Sequence, residues 1–229
     1  MNQTLKQDAL DSLSGNWGKS VLAVFLFTVI SFVLSLLTDP PLHIPGFFEE
    51  TTLRDDIISN IRDTIINYII LMPLFIGTTW LFQSFVQDDR PSFGSIFKPF
   101  TRFWRYMMTG LILTVLLTFW TLLLIVPGII KYYSYSQTLF ILRENPDYTP
   151  LQAIRESKAN MHGNRSELFF LQLSFIGWAL LGILTLGIGL LWLEPYFRTT
   201  MASFYELKIK RAGHNSSLTQ KRSRSPGKW

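Results

Sequence analysis

Apolar residues along this chain gather in long stretches from which charge is absent. Ser20–Thr38, Thr64–Val86, Tyr106–Ile130 and Leu168–Leu193 contain no Asp, Glu, Lys or Arg. A hydrocarbon layer of about 30 Å takes about 20 helical residues to cross. Inside it every backbone N–H and C=O has to bond within the chain, so stretches of this kind are read as helices. Two further stretches are apolar with charges set inside them. Ile129–Leu142 holds Lys131, and Leu190–Leu207 holds Glu194, Arg198 and Glu206. Each follows a turn signal, Pro127-Gly128 in one case and the Gly187/Gly189 segment in the other, of the sort that reverses the chain between antiparallel helices.

The pattern predicts an all-α polytopic membrane helix bundle. Its single transmembrane domain covers 1–207, with spans at about 20–38, 64–86, 106–126, 128–143, 168–184 and 189–207. Lys6 and Lys19 precede the first stretch as in a signal peptide, but its apolar part exceeds the usual 7–15 residues and no A-x-A site follows. It is read as a retained helix.

The layout repeats. Ala9-Leu10 and Gly15-Asn16-Trp17 precede the first pair of spans, and Ala153-Ile154 and Gly163-Asn164-Arg165 precede the last. An aromatic segment, Phe93–Trp104, precedes the middle pair. The expectation is three units, each an amphipathic helix followed by a helical hairpin, a layout common in membrane folds. Thr149-Pro150-Leu151-Gln152 reads as a capping box with proline at the first helical position. Leu151, Ile154, Lys158 and Met161 then share a helical face. Phe93, Phe97, Phe100, Phe103 and Trp104, among Lys98, Arg102 and Arg105, suit a helix at headgroup level or one packed on neighbouring spans. Met72-Pro73 and Gly77 mark a kink or a close approach in the second span. Trp17, Trp80, Trp104, Trp178 and Trp192 include candidate interfacial anchors.

Composition sharpens this. Charged residues are 16% of the chain and mean hydropathy is +0.24, against about 25% charged in soluble proteins. The excess of positive charge lies in the last residues. After Glu206 come Lys208, Lys210, Arg211, Lys221, Arg222, Arg224 and Lys228 with no acid. Residues 208–229 are read as a disordered basic cytoplasmic tail. Anionic lipid headgroups are its expected partner, and a purely topological flank is the alternative. No folded basic module accompanies it, so nucleic acid is not an expected partner.

Basic residues also set orientation. Segments 87–105 and 143–165 are rich in Lys and Arg, whereas 39–63 carries Asp39, Glu49, Glu50, Asp55, Asp56 and Asp63. Six spans with both termini cytoplasmic place every basic segment inside. Four spans would put 131–165 outside.

Cysteine is absent, which excludes disulfides, thiolate metal sites and cysteine nucleophiles. His43, His162 and His214 are scattered, unlike metal ligands. Neither a phosphate-binding glycine loop nor a nucleophile elbow occurs. The carboxylate pairs Asp55-Asp56 and Asp88-Asp89 are read as solvated. No catalytic, cofactor-binding or metal residue is expected.

Several linked motifs resemble a family. They are Val126-Pro127-Gly128-Ile129-Ile130-Lys131-Tyr132-Tyr133-Ser134-Tyr135-Ser136, Glu144-Asn145-Pro146, Ala153-Ile154-Arg155-Glu156-Ser157, Leu184–Gly189, and Pro195-Tyr196 with Phe204-Tyr205-Glu206. The chain resembles uncharacterised bacterial integral membrane proteins, mostly from Firmicutes. More distantly it resembles the membrane region of some glycerophosphodiester phosphodiesterases. The resemblance implies a helical protein of the cytoplasmic membrane and no particular activity.

Charges at membrane depth are costly and pair or line wet cavities. Lys131 and Glu194 each follow an outer turn, and Arg198 lies one helical turn after Glu194. Lys131, Glu194, Arg198 and Tyr135 therefore form the candidate intramembrane polar cluster, with Lys131 bonded to Glu194. The other reading has Lys131 and Glu194 reaching separately to the interface. The expected function is a non-enzymatic structural or accessory envelope factor, with membrane proteins or a second copy as possible partners. A small transporter or channel built on that cluster is the alternative.

Overall fold

The computed structural model describes residues 2–38, 53–87 and 92–210. Asp39, Glu49, Glu50, Asp88, Asp89, Arg90 and the tail beyond Lys210 lie outside the described residues, as do the side chains of Asp55 and Asp56.

The described residues are helical, with no strand. In order they form α1 (Asn2–Leu13), α2 (Trp17–Thr38), α3 (Leu53–Val86), a 3-10 segment (Phe93–Arg102), α4 (Phe103–Leu123), α5 (Ile125–Tyr135), α6 (Thr138–Glu144), α7 (Pro150–Asn160), α8 (Arg165–Leu173), α9 (Ile176–Leu184) and α10 (Leu190–Phe204). A π-helical turn (Tyr205–Lys210) follows α10.

Among the described residues four stretches are long and apolar enough to cross a membrane: Trp17–Thr38, Ile57–Val86, Phe93–Leu123 and Arg165–Leu184. Each overlaps one of the four uncharged runs of the sequence. The two charged stretches are shorter as helices. Residues 128–143 are divided between α5 and α6 by a turn at 136–137, and α10 has 15 residues.

That break in the backbone is repaired by one buried serine. Ser157 of α7 donates to the carbonyl of Ser134 at 2.9 Å and accepts from the amide of Gln137 at 3.2 Å. Backbone groups freed by an interrupted helix need such partners when water is excluded. The capping box of α7 is present in full, with Thr149 and Gln152 bonding reciprocally. The buried face of α7 is Ala153, Ile154, Ser157 and Met161. Leu151 and Lys158 turn outward, about a quarter-turn from the expected face, because α7 lies against α4, α5 and α6 together.

Two corners use the same backbone device. Gly15 and Gly163, at φ +76° and +89°, end α1 and α7. The carbonyls of Asn16 and Asn164 then accept the first bonds of the next helices. Aligned on these glycines, buried Leu5, Ala9 and Leu13 correspond to buried Ala153, Ser157 and Met161. The sequence pairing of Ala9 with Ala153 is thus off by one helical turn.

The hairpins differ in where they reverse. Between α4 and α5 the reversal is at extended Leu124 (φ −161°, ψ 137°). Pro127-Gly128 lies in the first turn of α5, where a missing N–H costs nothing, and Gly128 packs on Thr121. Between α9 and α10 the reversal is at the expected residues. Leu186 and Gly187 have positive φ, and Thr185 Oγ1 donates to Gly182 O and accepts from Gly189 N.

The densest packing surrounds the C-terminal half of α3. The 3-10 segment folds back along it, and a Cβ on Gly77 would lie 1.9 Å from the backbone oxygen of Ile96. Of the two readings of 93–104, packing on a span therefore holds for Ile96, while Phe97, Phe100 and Trp104 stay exposed. Trp80 is buried rather than an anchor: its Nε1 donates to Leu139 O at 3.0 Å and its ring meets Tyr106 edge-on.

Gly77→Ala should destabilise the protein by about 1–3 kcal/mol, because the clash is with backbone that cannot rotate away. Gly18→Ala, which meets open space, should be neutral or stabilising by up to about 1 kcal/mol. Thermal unfolding in detergent compares the two, and equal effects would contradict the packing described.

Candidate functional site

Glu194 and Arg198 stand one turn apart on α10, and Arg198 Nε donates to Glu194 Oε1 at 2.7 Å. The guanidinium carbon lies 5.1 Å from the Phe75 ring, 5.9 Å from Phe27 and 6.0 Å from Phe82. Cations are held over aromatic faces at such distances. Arg198 also reaches Thr78 Oγ1 at 3.5 Å. Helices α2 and α3 thus build an aromatic and hydroxyl seat for a cation supplied by α10.

The pair separates cavities. One of about 410 Å³ lies among α3, α4, α5, α6 and α10, with Thr79, Tyr135, Ser136, Glu194 and Arg198 as its polar lining. Another of about 340 Å³ opens toward α2, where Thr28 and Thr78 join the same pair. A third of about 410 Å³ toward α8 and α9 has Gln172, Tyr133 and Glu194 in its wall. Glu194 lines all three.

Three of the four expected residues, Tyr135, Glu194 and Arg198, line the first of these cavities. Lys131 does not join them, and its expected bond to Glu194 is replaced. Its ammonium lies 4.3 Å over the ring of Trp120. The tight reversal at Leu124 sets Lys131 opposite Trp120 on α4, and Arg198 satisfies Glu194 from its own helix.

Sequence reasoning missed a second polar cluster, where α3, α6 and the π turn converge. Gln83 Nε2 donates to Glu206 Oε1 at 3.0 Å. Gln87 Nε2 donates to Glu144 at 3.0 Å and to Glu206 at 2.6 Å. Tyr205 OH donates to Glu144 Oε2 at 2.9 Å, and its ring stacks on Phe140. Lys210 Nζ bridges Glu144 and Glu206 at 2.6 and 3.0 Å. Lys208 pairs with Glu167 at 3.0 Å. The first residues of the basic tail are therefore helical and ion-paired, because three carboxylates supply the opposite charge. The signal lay in spacing: Gln83/Gln87 and Glu206/Lys210 are each one turn apart. Among the described residues no cluster of His, Asp or Glu could hold a metal ion.

A sequence family described as a protein of unknown function (DUF975) matches residues 1–134 and 121–212. The chain belongs to this family. No curated protein and no solved structure matches the chain. The family match runs through both polar clusters and stops just beyond Lys210, so both fall within the family's part of the chain.

Burial pulls the Lys210 ammonium down, but Glu144 and Glu206 outweigh it and hold the group above its ordinary value of 10.5. Its stabilising contribution is present in full below that ordinary value and is lost as pH rises through the higher folded one. The stability gap between wild type and Lys210→Met should hold up to about pH 10 and close above it. Glu206→Ala should cost more, roughly 1–3 kcal/mol at neutral pH, because it strands the buried Gln83 amide. Thermal melts across pH read both effects.

Proposed function

We propose that this chain is a non-enzymatic, multi-pass protein of the bacterial cytoplasmic membrane, acting as a structural or accessory factor of the envelope. It crosses six times, with both termini cytoplasmic and α5–α6 and α10 as its short spans. The observation that supports this best is the apolar surface of α2. Only Ser20, Ala23 and Val24 of that helix are buried, while Phe25, Phe32, Val33 and Leu37 face outward. A soluble monomer rarely leaves such a face bare. Lipid covers part of it, and the rest offers a membrane protein or a second copy a helix with which to pack. The basic tail beyond Lys210 adds attraction to anionic headgroups.

A transporter or channel is the second reading, favoured by one observation: Glu194 lines three cavities at once. Ionisable groups at membrane depth are expected along ion and solute paths.

Topology comes first, and the cysteine-free chain makes labelling clean. Arg54 and Ala159 are exposed, and single cysteines at each should be probed in intact cells with an impermeant maleimide. Labelling at Arg54→Cys alone is expected. Labelling at both positions would mean four spans with 124–164 outside. For the second reading, vesicles holding the pure protein should show no flux of small ions or solutes. Flux abolished by Glu194→Gln would replace the accessory role with transport.

A further inference from the structure

Helices α2 and α3 part around a cavity of about 670 Å³. Each lines it with a polar stripe at the four-and-three spacing that keeps residues on one helical face. Ser31, Ser35 and Thr38 come from α2, and Asn60, Thr64 and Asn67 from α3. Asn67 Nδ2 donates to Thr38 Oγ1 at 3.0 Å, which brings the two stripes to one level. The same spacing carries each stripe on into apolar residues, Phe27 on α2 and Leu71 and Phe75 on α3. From Thr38 to Phe27 is about 16 Å along the helix. The cavity thus passes from hydroxyls and amides at one end to rings and an aliphatic chain at the other.

The lining selects against charge. It carries no Lys or Arg, and its one carboxylate, Asp63, is taken by Arg62 at 2.9 Å. Neither a phosphate nor an ammonium group would find an unneutralised partner there, and a charge is costly to bury without one. Uncharged hydroxyls would find partners. Ser31 and Thr38 donate to carbonyls of their own helix, but among the described residues the hydroxyls of Ser35 and Thr64 make no hydrogen bond, although both line the cavity. The apolar end leads deeper. Phe27 also lines one of the cavities beside Arg198, and Phe75 lines another. A dissolved sugar would leave that end bare, whereas the chain of an amphiphile would cover it.

We propose that this cavity binds an uncharged, hydroxyl-rich amphiphile of the outer leaflet, a diacylglycerol with a sugar head. The head bonds to Ser35, Thr64 and Asn67, and the start of an acyl chain lies along Phe27, Leu71 and Phe75. The site rests on the membrane reading above, in which the α2–α3 connection is outside; four spans would leave it outside too. Its polar end then faces headgroup level and its apolar end the midplane, the order in which a lipid of that leaflet presents the same groups. Labelling at Arg54→Cys tests that placement independently. A chain labelled there that shows no glycolipid preference would remove this site alone.

The full chain, purified in an amine-oxide detergent that carries no sugar, is titrated with diglucosyl-diacylglycerol, phosphatidylglycerol and phosphatidylcholine. Bound lipid is counted by native mass spectrometry. One glycolipid should bind roughly thirtyfold tighter than either phospholipid, as a few net hydrogen bonds allow. Ser35→Ala/Thr64→Val should lower that preference about tenfold and leave the melting curve unchanged, because neither hydroxyl has a protein partner. Ser166→Ala, at an exposed hydroxyl away from the cavity, should keep it. Should the double variant melt lower, Ser35→Ala alone should still lower the preference about threefold. Equal binding of the three lipids, tighter binding of either phospholipid, or a preference that survives loss of both hydroxyls would overturn the proposal. Displacement of the glycolipid by equimolar free disaccharide would also overturn it, assigning the site to a dissolved sugar.

Discussion

The second half of α3 is the post on which the structure stands. From Leu74 to Phe85 nearly every side chain is buried, and each face of that stretch holds a different neighbour. Gly77 admits the backbone of the 3-10 segment. Trp80 holds α6 by its indole N–H, and its own carbonyl accepts from Arg143. Phe82 and Phe85 meet α2 and the 3-10 segment. Gln83 and Gln87 hold the acids of α6 and the π turn. A helix with neighbours on all sides cannot present a single apolar stripe, and this one mixes aromatic, glycine and amide positions accordingly.

Polar groups at the packed end bond to one another in small sets. Ser157 mends the break between α5 and α6. Glu144 and Glu206 are shared among amides, a phenol and an ammonium. Arg198 has one carboxylate, one hydroxyl and three rings. Each set ties helices distant in sequence, as buried polar networks do. The opposite ends of α2, α3 and α4 carry exposed Leu, Ile, Val and Phe instead. The surface that needs a nonaqueous neighbour and the interior that needs polar closure thus lie at different ends of the same helices.

The candidate polar cluster was legible to the extent that its geometry is local. Glu194 and Arg198 meet because an α-helix places residues four apart on one face. Lys131 was assigned to Glu194 from equal distance to a turn, and that inference failed because depth does not say which side of a helix faces which neighbour. Trp120 competes for Lys131 through a hairpin whose reversal falls three residues before the Pro127-Gly128 that signalled it. The Glu144/Glu206 cluster stayed hidden for the same reason. Its members come from three segments more than fifty residues apart, and each alone looks like an ordinary flank of an apolar run.

The sequence by itself determined the helical class, four stretches able to cross a bilayer, the cap of α7, and the α9–α10 reversal. All are properties of a chain with its near neighbours: hydropathy summed over a turn, a side chain within reach of its own backbone, a residue without a Cβ. Tertiary structure decided that Trp80 is core and Trp104 is surface, that Gly77 is a contact, and that Lys208 and Lys210 begin the tail as ordered ion pairs. Those outcomes depend on which helix faces meet, and burial and charge pairing between distant segments are created only when they pack.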